Sequence, residues 1–154
     1  MLKNDKYEAV IGLEIHAQLN TKSKAFCADE VAFGAAANTL VSPISLGHPG
    51  TLPMHNREAV NMAIMLGLAC DCDIREYNTY DRKNYFYADL PKGYQITQMD
   101  TPICNNGAVE ITLPDGTTKS INLTRIHMEE DAGKGLHDLD IENTALIEFA
   151  TALY

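Results

Sequence analysis

An α+β fold is predicted by three stretches of the 154-residue chain. Val10 to Leu19 alternates apolar and polar residues, the mark of a strand with one buried face. Arg57 to Ala69 places Val60, Ala63, Ile64 and Gly67 at helical spacing behind Asn56, a good N-cap. Ala108 to Leu113 and Thr118 to Leu123 flank Pro-Asp-Gly-Thr, a strong turn signal, and so form a β-hairpin. With 45% hydrophobic residues the chain can bury one core, and nothing in it asks for a second domain.

Composition narrows the function classes. No apolar run approaches the roughly eighteen residues of a membrane span, and the N-terminal MLKNDKYE lacks a signal-peptide core, so a cytoplasmic protein without a membrane is expected. A formal charge of −9 argues against a broad basic surface, so any nucleic-acid contact must be local. Among Cys27, Cys70, Cys72 and Cys104 the only close pair is C-x-C; this is poor spacing for structural zinc and better suited to small buried thiols.

The elements follow in chain order. In Val10–Leu19 the odd positions Ile11, Leu13, Ile15, Ala17 and Leu19 face a core, and Glu14, His16 and Gln18 repeat on the other face about every 6.5 to 7 Å. The segment TKSKAFCADEVAFGAAANT reads as a loop with one short strand near Ala25 to Cys27. SPISLGHPGTLP, with three prolines and two glycines, is a stiff loop, and its His48 is left outside any site. In the helix, Gly67 marks either its end or a close approach to a sheet.

Tyr77 to Gln98 holds five of the seven tyrosines interleaved with Arg82, Lys83 and Lys92. It reads either as a surface that stacks bases and holds phosphates or as a tyrosine-rich hairpin. Three cations gathered in an acidic chain favour the first. After the PDGT turn, Ile121 and Leu123 keep the odd apolar phase, but Ile126 and Met128 are even, a slip that predicts a β-bulge near Thr124 and Arg125. Beyond it Arg125, His127, Glu129 and Asp131 share a polar face, with AGKG ending the strand.

Glu14 and His16 thus have a counterpart in His127, Glu129, Glu130 and Asp131. Gathered carboxylates repel one another unless a cation neutralises them, which points to a divalent ion such as Mg²⁺ on oxygen ligands. A histidine in the set suits Mn²⁺, or acts in an outer shell or as an acid–base group. A carboxylate-held metal beside cationic side chains is the apparatus of phosphoryl transfer. GKG at Gly133 to Gly135 is a weak further phosphate signal.

Four motifs in order, GLEIHAQL, FGAAANT with LGHPGTLP, DRKNYFYADLPKGYQITQ and RIHMEEDAGKGLHD, closely resemble the B subunits (GatB) of the glutamyl-tRNA(Gln)/aspartyl-tRNA(Asn) amidotransferases, over Tyr7 to Asp138. The resemblance implies a glutamine synthetase-like antiparallel sheet with few helices on one side. It also implies a ligase that uses ATP and Mg²⁺, with Mn²⁺ as the alternative, to activate the side-chain carboxylate of misacylated Glu-tRNA(Gln) or Asp-tRNA(Asn) as an acyl phosphate. Ammonia released by the A subunit then displaces the phosphate, and the C subunit joins the two in a heterotrimer. Carried over to this chain, Glu14, His16, Glu129 and Glu130 are the catalytic and metal-site residues, with Asp131 a weaker member. Arg82, Lys83, Tyr87 and Lys92 hold substrate or phosphate, and Gln98 lines the same cavity.

Ala37 and Ala88 stand where the family pattern has prolines, and IENTALIEFATALY follows its continuation poorly. Residues 1–154 are therefore expected to form one partial catalytic domain that does not complete the site by itself. The competing readings are a non-catalytic module that binds an RNA end with a structural divalent ion, and a fragment that self-associates through uncovered apolar surface.

Overall fold

Asn56 organises the helical part of the molecule. The computed structural model describes residues 6–88, 90–137 and 145–148, and α1 runs over Arg57–Ala69. Asn56 Oδ1 accepts from the amides of Glu58 at 2.9 Å and Ala59 at 3.4 Å, satisfying orphan donors of the first turn. Its Nδ2 donates to the carbonyl of Ser23 at 2.8 Å, and its own amide donates to the Ala25 carbonyl at 2.7 Å. One residue thus starts the helix and ties it to the loop before it.

α1 buries Ala59, Ala63 and Gly67, one residue per turn along one stripe. Gly67 is the point of closest approach, since a Cβ there would lie 2.5 Å from Cys104 Sγ and 2.6 Å from Ile74 Cδ1. The close-packing reading of Gly67 is the one found; the helix continues to Ala69. Met65 and Leu68, on the far side, are exposed.

Among the described residues the strands are short and every pairing is antiparallel. β1 (Asp73–Ile74), β4 (Cys104–Asn105) and β7 (Arg125–Ile126) form a three-stranded sheet in the order β1-β4-β7. β2 (Asp81–Asn84) pairs with β3 (Tyr94–Thr97), β5 (Ala108–Thr112) with β6 (Thr118–Asn122), and β8 (Lys134–His137) with β9 (Ala145–Glu148). One helix with small antiparallel sheets is an α+β architecture. No helix among the described residues is long and apolar enough to cross a membrane.

Two apolar clusters lie along α1. Ala25, Phe26, Ala59 and Ile96 make one, with Leu19, Tyr80 and Tyr94 packed on it. Ala63, Ile103, Cys104 and Met128 make the other, joined by Val60, Ile64, Cys72, Ile74, Ile126 and again Tyr80. Burial raises the Tyr80 phenol above its ordinary range. All four cysteines are free thiols, with Cys27 and Cys104 buried. Burial pushes the Cys104 thiol up to about 11.

Several expectations are corrected here. Val10 to Leu19 has no regular secondary structure, and Ile11, Leu13 and Ile15 are 83%, 81% and 87% exposed. Alternation prepares a strand, but a strand needs a neighbour to take its N–H and C=O groups, and no described segment pairs with it. Ala25 to Cys27 is buried loop rather than strand, closed off by an isolated bridge between Ser23 and Glu30.

The bulge is also absent. Cys104↔Ile126 and Asn105↔Arg125 continue the register of Ala108↔Asn122 without an inserted residue. The apolar phase changes because Asn106 and Gly107, at φ 56° and 102°, turn the ladder at that point. A Cβ on Gly107 would meet Cys72 Sγ at 2.5 Å and the Cys70 carbonyl at 2.6 Å, so the turn lies tight against the end of α1. AGKG does not end the strand region, because β8 starts at Lys134. The segment Ile141 to Tyr154 lies outside the described residues except for the backbone of β9.

Candidate functional site

The site is built on β2, β3 and the segment after β7. The β2–β3 register sets Arg82 against Ile96, Lys83 against Gln95 and Asn84 against Tyr94, with Arg82, Lys83 and Asn84 exposed on the outer strand. On β3, Gln95, Ile96 and Thr97 are buried, so their polar groups need partners inside the molecule. Residues 129 and 130 supply them: Thr97 Oγ1 donates to Glu129 at 3.0 Å, the Ile96 amide donates to Glu130 Oε1 at 2.7 Å, and Gln95 Nε2 donates to the Glu130 carbonyl at 2.6 Å.

Consecutive carboxylates therefore point to opposite sides of one extended segment. Glu129 lines an open cavity of about 500 Å³ together with His16, Lys83, Tyr85, Gln95, Asp131 and Ala132. Its residue is 8% exposed, and His127 Nε2 stands 3.5 Å from its carboxylate. The hydrogen bond from His127, then that from Thr97 and the charges of His127 and Lys83, outweigh burial and hold the Glu129 carboxyl below its ordinary range. It is the ionised acceptor of the cavity.

Glu130 faces away, toward a second cavity of about 50 Å³ whose lining includes Lys24, Cys27, Ser45, Lys92 and Asp131. Lys92 Nζ lies 2.5 Å from its Oε1 and 2.6 Å from its Oε2, and both side chains are largely buried. Nearby, Ser45 donates to Asp29 at 2.5 Å and the Ser42 amide at 2.9 Å. Partial burial works to raise Asp29, but these bonds and one from Cys27 win and keep it below its ordinary range.

Glu14 and His16 sit together on the extended N-terminal segment, 3.4 Å apart, and His16 reaches the larger cavity. Glu14, His16, Glu129 and Glu130 do not stand as one ligand set. Among the described residues no three His, Cys, Asp or Glu side chains converge on a point where they could hold a metal ion. The donor chemistry on the larger cavity is right for a hard cation, but Glu130 is taken by Lys92, so the four-residue set does not fit a single ion as arranged here.

Of the two readings of the tyrosine-rich stretch, the hairpin is the one observed, with its cations lying on its own rings. The Arg82 guanidinium is 4.3 Å from the Tyr94 centroid, Lys92 Nζ is 4.8 Å from the same ring, and Lys83 Nζ is 5.9 Å from that of Tyr85. Tyr85 and Tyr87 have centroids 5.6 Å apart. Gln98 does not line the cavity. It is fully buried and structural, accepting from the amides of Ile103 and Met128, each at 3.1 Å, and donating to Asn78 at 2.8 Å.

Sequence reasoning leaves Thr97 and Gln95 out of the site. For Thr97 and Gln95 the sequence carries no signal of burial, because the groups that satisfy them, Glu129 and the Glu130 carbonyl, stand 32 and 35 residues further along the chain. His127 falls on the polar face of its row, and its two-residue separation from Glu129 already implies the contact.

Residues 9–152 match the GatB/GatE catalytic domain, extending past the Asp138 at which the motif resemblance stops. A protein of Ectopseudomonas mendocina, named as the B subunit of an aspartyl/glutamyl-tRNA(Asn/Gln) amidotransferase, is 55% identical over 155 residues, covering 95% of this chain and 32% of its own length. Relatives of the same name from Pseudomonas aeruginosa, at 55%, and Azotobacter vinelandii, at 54%, share those coverages. The chain spans about a third of the length of the curated relatives it matches. With nearly all of its residues inside the match, this chain belongs to the GatB/GatE catalytic domain family.

Proposed function

We propose that the chain supplies catalytic-domain residues to a tRNA-dependent amidotransferase that converts Glu-tRNA(Gln) or Asp-tRNA(Asn) to the amidated form. Family membership supports this reading, and one observation carries it to the site: an ionised, buried Glu129 faces Lys83 and His16 across an open cavity. The finer reading is of a glutamine synthetase-like domain, working in the cytoplasm with the A and C subunits of the amidotransferase. There ATP activates the aminoacyl carboxylate as an acyl phosphate and ammonia displaces the phosphate.

The residues of this chain have definite tasks in that chemistry. Lys83, at the wall of the Glu129 cavity, presents positive charge where an anionic phosphate or carboxylate is held, while Arg82, next to it on the strand, faces the other way and lies on the Tyr94 ring. Glu129, fixed by Thr97 and His127, accepts a hydrogen bond or a proton from the attacking nitrogen at the cavity wall. Lys92 and Glu130 are positioning residues, because their ion pair and the Ile96 amide fix the segment that presents Glu129. The reading calls for a divalent ion, Mg²⁺ or alternatively Mn²⁺, for which Glu14, His16, Glu129 and the Lys92-paired Glu130 do not form a single site as arranged.

The test is an amidation assay with the A and C subunits, glutamine, ATP, Mg²⁺ and charged tRNA. It is run with the 154-residue chain and with the chain extended by the rest of the Pseudomonas aeruginosa relative. Gln-tRNA or Asn-tRNA that forms only with ATP is expected in the extended form, and Glu129→Gln should lower its rate about 100-fold or more. No amidated product from either form overturns the proposal.

A further inference from the structure

Gln98, the residue after β3, is 0% exposed, and a side-chain amide taken fully out of water needs partners at both of its ends. Its Oε1 accepts from two backbone amides, those of Ile103 and Met128, and its Nε2 donates to Asn78 Oδ1. Backbone amides can only donate, so the side chain stands in one orientation; turned over, it would set its NH₂ against two N–H groups. Asn78 is held in the same way, because its Nδ2 donates to the Arg75 carbonyl at 3.3 Å. The Arg75 amide donates in turn to the Ile103 carbonyl at 2.9 Å, which roots this series of bonds beside β1 and β4.

The series ends on the Met128 amide, one residue before the two adjacent carboxylates. The Met128 side chain packs with Ala63, Ile103 and Cys104, whereas His127 and Glu129 meet on the other side of the segment. A shift of one residue along β3 would exchange the two sides, bringing Glu130 to the larger cavity and taking Glu129 away from it. Apolar packing is non-directional and resists such a shift weakly, but a hydrogen bond requires donor and acceptor both in place. Thr97 and Gln98 supply two such bonds from adjacent residues, one to the Glu129 carboxylate and one to the Met128 amide. Without the second, a buried donor has no acceptor, and the segment is driven to move.

We propose that Gln98 is a positioning residue for Glu129, fixing through the Met128 amide which of the two adjacent carboxylates faces the larger cavity. The proposal rests on the amidotransferase reading for the task of Glu129 there, and not for its placement. Gln98 acts through Met128 and touches no reacting atom.

The first arm of the test is amide hydrogen exchange on the 154-residue chain. Gln98→Met keeps the length of the side chain and removes the acceptor. The Glu130 amide donates to the Ile96 carbonyl, a bond in which Gln98 takes no part, so it reports on the segment as a whole. Gln98→Met should speed exchange at both Met128 and Glu130 about ten-fold or more relative to the amides of α1. Acceleration confined to Ile103 and Met128 overturns the proposal. Where Gln98→Met fails to fold, Asn78→Ala removes the anchor of Gln98 instead; a smaller rise at Met128 and Glu130 is expected, and a rise at neither overturns the proposal.

The second arm is amidation by the extended chain with the A and C subunits. Gln98→Met should lower kcat about ten-fold or more with KM for the charged tRNA little changed, since misplacing a reacting group costs rate rather than binding. Gln98→Glu keeps an oxygen for the two amides and should retain most of the rate, and Asn56→Ala, which weakens the fold far from the cavity, should keep it all. An equal loss in Gln98→Met and Gln98→Glu, or in Gln98→Met and Asn56→Ala, overturns the positioning role. Absence of amidation by the parent overturns the amidotransferase reading alone, and the exchange arm then decides the role of Gln98.

Discussion

Glu129 shows how much one carboxylate depends on its neighbours. Taken out of water it would be neutral, but His127 and Thr97 keep it ionised. Because folding lowers its pKa, the stability it adds is present above the unfolded value of about 4.3 and is lost as pH falls through the folded value. Glu129→Gln should therefore flatten part of the acid limb. Urea unfolding at neutral pH and near pH 3.5 is the measurement, and an unchanged difference between those two conditions in the variant would show that Glu129 is not among the groups responsible. The parity of the segment is readable in the sequence, which separates Glu129 from Glu130 by side. The Lys92 partner of Glu130 is not readable there, since it comes from a hairpin distant in the chain.

At the scale of elements, local chemistry and non-local pairing part company. The start of the helix and its buried stripe are legible because Asn56 and Ala59, Ala63 and Gly67 act within a few turns, whereas its end, open in the sequence at Gly67, is fixed at Ala69. The β5–β6 hairpin is legible because Pro114, Asp115 and Gly116 fix the turn, with Asp115 capping the Thr117 amide at 2.9 Å. Val10 to Leu19 misleads because a strand is completed by its neighbour, and the alternation of Ile11, Leu13 and Ile15 carries no information on where that neighbour lies.

Two substitutions probe these elements. Asn56→Ala removes both the cap and the Ser23 link, at a cost of about 1–2 kcal/mol, seen as a melting temperature lowered by a few degrees. Gly67→Ala sets a helix-propensity gain of about 1 kcal/mol against overpacking of about 1–3 kcal/mol. With Cys104 fully buried and unable to give way, the cost should win. Adding Cys104→Ala, which removes the Sγ it would strike, should recover part of the loss; no recovery would place the strain elsewhere.

At the scale of the molecule, the four small sheets and one helix of the described residues do not surround one centre. Their apolar residues divide into a cluster under the Asn56 end of α1 and another under its C-terminal half, and separate clusters of this size invite separate melting. Tyr80 belongs to both. Its ring meets Phe26 edge-on at 5.0 Å, while its hydroxyl reaches Met128 Sδ at 3.7 Å. Loosening either cluster strips contacts from the same ring, so each lowers the cost of opening the other, and calorimetry should record one transition for the parent chain. Tyr80→Ala should broaden it or divide it in two, whereas Tyr80→Phe should keep it single; a single sharp transition in the alanine variant would assign the coupling to α1 instead. The larger cavity is walled by the β2–β3 hairpin and the segment following Met128, one from each side of that ring. The expected consequence is that the integrity of the Glu129 cavity is a cooperative property, present when the two clusters are folded together and absent when either has opened.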